Sequence, residues 1–183
     1  MNPALLVVDM LKEYLLPNGQ IYCESCREII PNIKNCVERF REANRPIVYI
    51  NTAMSEGDVL VNKWGKHAMK GTRMAQVVDE LAPKSTDFVV EKSGYDGFFA
   101  TNLDDVLRSN DIDTVVIVGI HTHVCVLLTG VGAFQRGYKV VTFEDCVTTG
   151  YQANHETRLR FFRSHIGELS DSTNWITDFL SAA

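Results

Sequence analysis

The sequence has no apolar run of the roughly 18 residues that a membrane-spanning helix needs, no stripe of clustered lysine and arginine, and no low-complexity stretch. The first absence argues against a membrane span. The second, with 18 basic against 23 acidic residues and a net charge of −5, argues against a nucleic-acid partner. The third, with no shift in composition, leaves no place for an interdomain linker, so residues 1–183 are expected to form one domain. The opening segment MNPALLVVDM lacks a basic leader and reaches a charge at Asp9, so it reads as a first strand rather than an export signal. Five cysteines are an odd number, and in a chain without an export signal they point to free thiols in a reducing, cytoplasmic setting.

What the chain does have is a globular balance of 45% apolar and 22% charged residues. That suits a real core and small-molecule ligands. Apolar runs recur at 4–8, 47–50, 88–90, 114–118, 139–143 and, more weakly, 166–169. Several are rich in Val and Ile without alternation, as in strands buried on both faces. Helical patterns lie between them. Ser25 with Glu28 reads as a capping box ahead of a stripe formed by Ile30, Ile33, Val37 and Phe40. Thr101, with Asp104 three residues on, reads as the cap of a second helix that buries Leu103, Val106 and Leu107. Alternation of this kind predicts a three-layer α/β/α domain around a mostly parallel six-stranded sheet, with the strand order open.

Open parallel sheets bind ligands beyond the carboxyl ends of their strands. Three reactive side chains fall there. Asp9 ends the run LLVV, Lys92 follows FVV by two residues, and Cys125 lies past VVIVG in a segment entering a helix. A thiol with a reference pKa of about 8.5 gains thiolate character from a helix N-terminus and a nearby lysine. A carboxylate at the same edge can take the thiol proton, hand it to a leaving amine and later activate water. The alternatives from position alone are a packed free cysteine and an aspartate that caps a turn.

Four segments, ALLVVDMLKEYL, FVVEKSGYDGFFATNLDDVLR, VVIVGIHTHVCV and GYKVVTFEDCV, resemble in order and spacing the isochorismatase-like cysteine hydrolases, which include nicotinamidases and N-carbamoylsarcosine amidases. The resemblance implies a catalytic triad of Asp9, Lys92 and Cys125. It also implies a cis peptide at Ile120–His121 and an oxyanion hole made by the backbone N–H groups of His121 and Cys125. A homo-oligomer, dimer or tetramer, is expected by analogy.

The resemblance breaks at the metal. Nicotinamidases carry an Asp-x-His pair after the second strand and a later His, whereas Thr52 and Met54 stand at the first two places here and His67 alone at the third. One imidazole does not make a metal site, so no metal and no cofactor are expected. The expected activity is hydrolysis of a small amide or carbamoyl compound through a thioester, in the manner of N-carbamoylsarcosine amidases. A metal-dependent nicotinamidase and a non-enzymatic ligand-binding or redox-responsive module are the alternatives.

His67, Trp64, Tyr95 and Phe98 are the candidate pocket residues, with Phe99 beside them and the segment 52–72 setting substrate choice. His123 flanks the nucleophile turn without an assigned role. Cys23 and Cys26 are expected to be a surface pair of thiols able to oxidise, and Cys36 to pack in its helix.

Overall fold

Each of the six apolar runs forms a strand, and the computed structural model, which describes residues 1–181, pairs all of them in parallel. The strands are β1 (Pro3–Val8), β2 (Ile47–Thr52), β3 (Phe88–Lys92), β4 (Thr114–Ile120), β5 (Lys139–Thr148) and β6 (Glu168–Ser170), in the spatial order β3-β2-β1-β4-β5-β6. Every residue of β1, β2 and β4 is buried, the physical reason their sequences carry apolar side chains without alternation.

Successive side chains along a strand point to opposite faces, so one sheet supplies two cores. On one face Leu5, Val7, Val116 and Val118 pack under α2 (Ile30–Glu42) and α7 (Ser172–Ser181), through Ile33, Val37, Phe40, Trp175 and Phe179. On the other, Leu6, Val8, Val115 and Ile117 pack under α4 (Leu103–Ser109), α5 (Leu127–Gln135) and α6 (Gln152–His165), through Leu107, Ala133, Leu159 and Phe162. The expected three-layer domain is thus observed, with a sheet that is wholly parallel. Two short helices, α1 (Lys12–Leu15) and α3 (Val59–Trp64), sit in loops at the carboxyl edge. Among the described residues no helix is long and apolar enough to cross a membrane.

The chain runs from β1 outward to β3, then returns to lay β4 on the other side of β1. The order reverses there, and a crevice opens beyond the carboxyl ends of β1 and β4. Gly119 lets the two strands close on each other. It sits at φ 114°, and a Cβ at that position would lie 2.1 Å from the carbonyl oxygen of Val8. Opposite it, β5 carries extra residues, since Ile117 pairs with Thr142 but Gly119 with Val147. Asp145, in that bulge, accepts hydrogen bonds from the Ser172 backbone N–H (3.0 Å) and hydroxyl (2.6 Å), which ties the bulge to the start of α7.

Local expectations need correction in four places. β3 extends to Lys92, so the lysine is the strand's last residue. β6 starts at Glu168, because the preceding turn of α6 runs to His165. Ser25 opens a 3₁₀ turn (Ser25–Ile29) and caps nothing, its hydroxyl lying 3.5 Å from the Cys23 sulfur; α2 begins at Ile30 with Pro31 in its first turn. Thr101 does accept the Leu103 N–H (3.2 Å), but Val106 is only half-buried.

Substituting Gly119→Ala is expected to destabilise the protein by about 3 kcal/mol, since it combines a left-handed backbone with a clash against β1. Urea unfolding of the two proteins measures the difference; a loss under 1 kcal/mol, an order-of-magnitude threshold, would show that β1 and β4 need no such closeness.

Candidate active site

Asp9 follows β1 in the left-handed region, at φ 53°, a conformation aspartate tolerates better than most residues. The turn sets its carboxylate across the ends of β2 and β3. Oδ1 accepts the backbone N–H of Thr52 at 2.7 Å, and Oδ2 accepts Lys92 Nζ at 2.8 Å. Lys92 Nζ donates as well to Thr52 Oγ1 (2.8 Å) and the Gly94 carbonyl (3.0 Å), and it lies 3.6 Å from Cys125 Sγ. Three oxygens therefore engage the three ammonium protons.

The pair is buried, with side-chain exposures of 0% for Lys92 and 2% for Asp9. Burial by itself lowers the pKa of Lys92, but the charge of Asp9, aided by Cys125, outweighs it and the pKa is raised. The ammonium form is thus fixed. Cys125 behaves in the opposite way. Burial pushes its thiol up to about 12, with Asp9 adding to the rise and Lys92 only opposing it. The expectation of a resting thiolate is corrected: Cys125 sits in a π-helical turn (Thr122–Val126), ahead of α5, and desolvation dominates there. At neutral pH Lys92 is an ammonium and Cys125 a neutral thiol.

The turn that carries Cys125 begins at a cis peptide between Ile120 and His121. The His121 carbonyl accepts the N–H groups of Val124 (3.1 Å) and Val126 (3.3 Å), which fold the chain back on itself. Among the described residues the N–H of His121 has no acceptor.

Cys125, Asp9 and Thr52 form the floor of a cavity of about 120 Å³. Tyr14, Trp64, Tyr95 and Tyr151 give it aromatic walls, and Ile21, Met54, Leu60 and Val124 fill between them. Trp64 Nε1 donates to Tyr95 Oη at 2.8 Å across the rim. His67, His121 and His123 complete the lining. Burial depresses His121 to about 4, with a contribution from His123, and lowers His123, so both rings are neutral at pH 7. Tyr14 is raised well above the usual phenol range by burial and then by the Asp9 charge.

Of the residues singled out in the sequence, Asp9, Lys92, Cys125, His121, His67, Trp64 and Tyr95 converge here. Phe98 does not. It is buried in the core against Tyr138, with the Arg136 guanidinium 4.7 Å from its ring, because the turn after Lys92 points it under α5; Phe99 is exposed. Cys23 and Cys26 are not a surface pair of thiols: they are joined as a disulfide, and Cys26 is fully buried with Sγ 3.8 Å from His121 Nδ1. Cys36 packs in the core 3.6 Å from Cys146. Three participants escaped the sequence reading. Thr52 holds both Asp9 and Lys92, and Tyr14 and Tyr151 wall the cavity.

The donor set does not suit a divalent metal. Thr52 Oγ1 is engaged by Lys92, Met54 offers a thioether, and His67 Nδ1 faces the Gly65 carbonyl at 2.8 Å. Among the described residues no three His, Cys, Asp or Glu side chains gather into a ligand cluster.

An isochorismatase domain matches residues 3–174. The chain is 33% identical over 171 residues to the uncharacterized isochorismatase family protein YwoC of Bacillus subtilis, covering 90% of this chain and 87% of that one. It is 30% identical over 203 aligned positions to the ureidoacrylate amidohydrolase RutB of Acinetobacter baylyi, covering 96% and 83%. The crystal structure of N-carbamoylsarcosine amidase from Thermoplasma acidophilum superposes with a TM-score of 0.87 at 35% identity, over 94% of this chain and 97% of that one.

A thiol held near 12 makes a kinetic prediction. Alkylation of Cys125 by iodoacetamide is expected to accelerate about tenfold per pH unit between pH 7 and pH 9, because the thiolate fraction grows in that proportion below the pKa. Peptide mass spectrometry of Cys125 at timed intervals reads it. A rate that levels off below pH 8 would mean a thiolate at rest.

Proposed function

Because the chain belongs to the isochorismatase family of hydrolases, we propose that it is a cysteine-dependent amidohydrolase that cleaves a small amide or carbamoyl compound through a thioester. The observation that carries this reading is the single buried contact set in which Lys92 Nζ lies 2.8 Å from Asp9 Oδ2 and 3.6 Å from Cys125 Sγ at the floor of a cavity. The similarity to two C–N-cleaving enzymes supports the reaction class.

The protonated thiol assigns the steps. As Sγ of Cys125 attacks the carbonyl carbon, Asp9 takes the thiol proton, so charge never builds on free sulfur. Lys92 holds the carboxylate in place and stabilises the developing negative charge. The carbonyl oxygen, now an oxyanion, accepts from the backbone N–H groups of His121 and Cys125. Asp9 then gives its proton to the departing nitrogen, the C–N bond breaks, and a thioester remains. Water enters, Asp9 takes one of its protons, and hydroxide adds to the thioester carbon. Collapse releases the acid, and the proton returns from Asp9 to the sulfur.

Thr52 serves this cycle as a positioning residue, since its N–H and Oγ1 fix the carboxylate and the ammonium. A homo-oligomeric, cytoplasmic enzyme is part of the same proposal.

Cys125→Ala is expected to lower turnover by about 10³-fold or more while leaving the circular dichroism spectrum and unfolding midpoint close to those of the parent. Asp9→Asn is expected to lose a similar factor, since acylation and deacylation both need the proton carrier. Ammonia release over a panel of amides and ureido compounds reads both. Parental turnover in either variant removes that residue from the cycle.

A further inference from the structure

The Cys23–Cys26 disulfide lies outside the proposed cycle, yet it touches the surroundings of the cavity at three points. The backbone N–H of Cys23 donates to the carbonyl of Tyr14 at 2.9 Å. The Cys23 sulfur packs on the backbone of Gly150, where a Cβ would lie 3.2 Å from it, and Gly150 leads directly into Tyr151. Cys26 Sγ lies 3.8 Å from Nδ1 of His121, whose peptide opens the turn that carries Cys125. One covalent link thus backs two aromatic walls and the start of that turn.

The two sulfurs differ in access. Cys26 is fully buried, whereas Cys23 is half-buried and lines an open space of about 640 Å³ beside the main cavity, together with Ile21, His121, Gly150 and Tyr151. A thiolate entering from that space reaches Cys23 first, and exchange follows. The reagent's sulfur bonds to Cys23, the Cys23–Cys26 bond breaks, and its electron pair leaves on Cys26, which takes up a proton. The second thiol of the reagent then displaces Cys23, which is protonated in turn, and closes the reagent into its own disulfide. Two electrons and two protons pass in all from the dithiol to the protein.

The change reaches His121. Bonded sulfurs sit about 2 Å apart, but two thiols in contact need a spacing like that of Cys36 and Cys146, 3.6 Å. One of the pair must therefore move, and its neighbours are the groups named above. A disulfide sulfur can only accept a hydrogen bond from His121, whereas a Cys26 thiol can also donate to Nδ1. Burial lowers the pKa of that ring to about 4, so at pH 7 it is neutral and Nδ1 can take either part.

We propose that Cys23–Cys26 is a redox site opened by a small dithiol, and that its state governs the Cys125 centre, which is braced by the disulfide and slackened by its reduction. The effect on turnover rests on the amidohydrolase reading of the same site; the bond and the reactivity of Cys125 do not. In reducing surroundings the open form is favoured, so loss of reductant would raise activity.

Air-oxidised protein, before and after treatment with dithiothreitol and its removal without air, provides the test. Non-reducing peptide mass spectrometry is expected to find Cys23 joined to Cys26 before treatment and both free afterwards, with an unchanged circular dichroism spectrum. Removing an oxyanion donor costs about 10² to 10³ in rate, and displacing one is expected to cost at least about fivefold in kcat/KM for ammonia release from amides and ureido compounds. Alkylation of Cys125 by iodoacetamide is expected to accelerate at least about threefold as the walls slacken. A variant carrying Cys23→Ser and Cys26→Ser is expected to resemble the reduced protein and to ignore dithiothreitol. Absence of the bond from air-oxidised protein overturns the proposal, as does collapse of the spectrum on reduction, which would make the bond a structural staple. A response to dithiothreitol that persists in the double variant overturns it too. Thiol-dependent turnover equal in both states keeps the amidohydrolase and discards redox control. Where no compound turns over in either state, a change in alkylation keeps the redox site and discards the amidohydrolase, and an unchanged rate discards both.

Discussion

The structure turns on one buried ion pair. Asp9 and Lys92 are withdrawn from water together, and neither is tolerable there alone, because removing one partner of such a pair typically costs about 3–5 kcal/mol. That demand organises the carboxyl edge. The left-handed turn at Asp9, the last residue of β3 and the backbone and hydroxyl of Thr52 on β2 all meet at this contact. The pair also sets the chemistry of the sulfur beside it. Because the ammonium is neutralised by a carboxylate 2.8 Å away, it cannot hold Cys125 as a thiolate against the effect of burial. In the proposed cycle the same carboxylate is the acceptor for the thiol proton once a carbonyl arrives. In the proposed cycle, holding Cys125 in its neutral form keeps a free anion out of a dry pocket until a substrate arrives.

The neighbouring strands bring Cys125 to this pair by close approach. With no Cβ at Gly119, β4 can press against β1, and the chain then reverses through a cis peptide and a π-helical turn. The cavity above is closed by groups from separate loops: Tyr14 from α1, Trp64 from α3, Tyr95 from beyond β3 and Tyr151 from the start of α6. A scaffold common to a family can thus change its ligand by changing side chains on those loops while the floor stays fixed.

The fold and the floor were legible in the sequence because both follow from short-range rules. Apolar runs without alternation mark doubly covered strands, and a charged or sulfur-bearing residue just past such a run must emerge at the carboxyl edge. The walls were less legible. Tyr95 fell just past a strand end and Trp64 in the long segment after β2, but Tyr14 rides on a four-residue helix too short to show a period, and Thr52 acts partly through its backbone N–H, which has no sequence signature. Phe98 was misplaced because distance along the chain from Lys92 says nothing of the direction a turn takes. The ionisation of Cys125 was misjudged for a related reason: a lysine and a helix start can be read from letters, whereas the depth of burial that overrides them is a property of the packed whole. The spacing of Cys23 and Cys26 allowed for oxidation but gave no sign that the disulfide would lie beneath His121 in the turn that carries Cys125.

β3 is the outermost strand on its side and pairs with β2 alone, yet it carries Lys92. The ammonium that completes the centre is therefore borne by the margin of the sheet, where fraying begins at lower free energy than in the interior. Loosening of that margin would part Lys92 from Asp9 and Cys125 while the central strands stayed folded. Under the proposed cycle, activity accordingly reports on the health of that border, and heat or denaturant should silence the molecule before it melts.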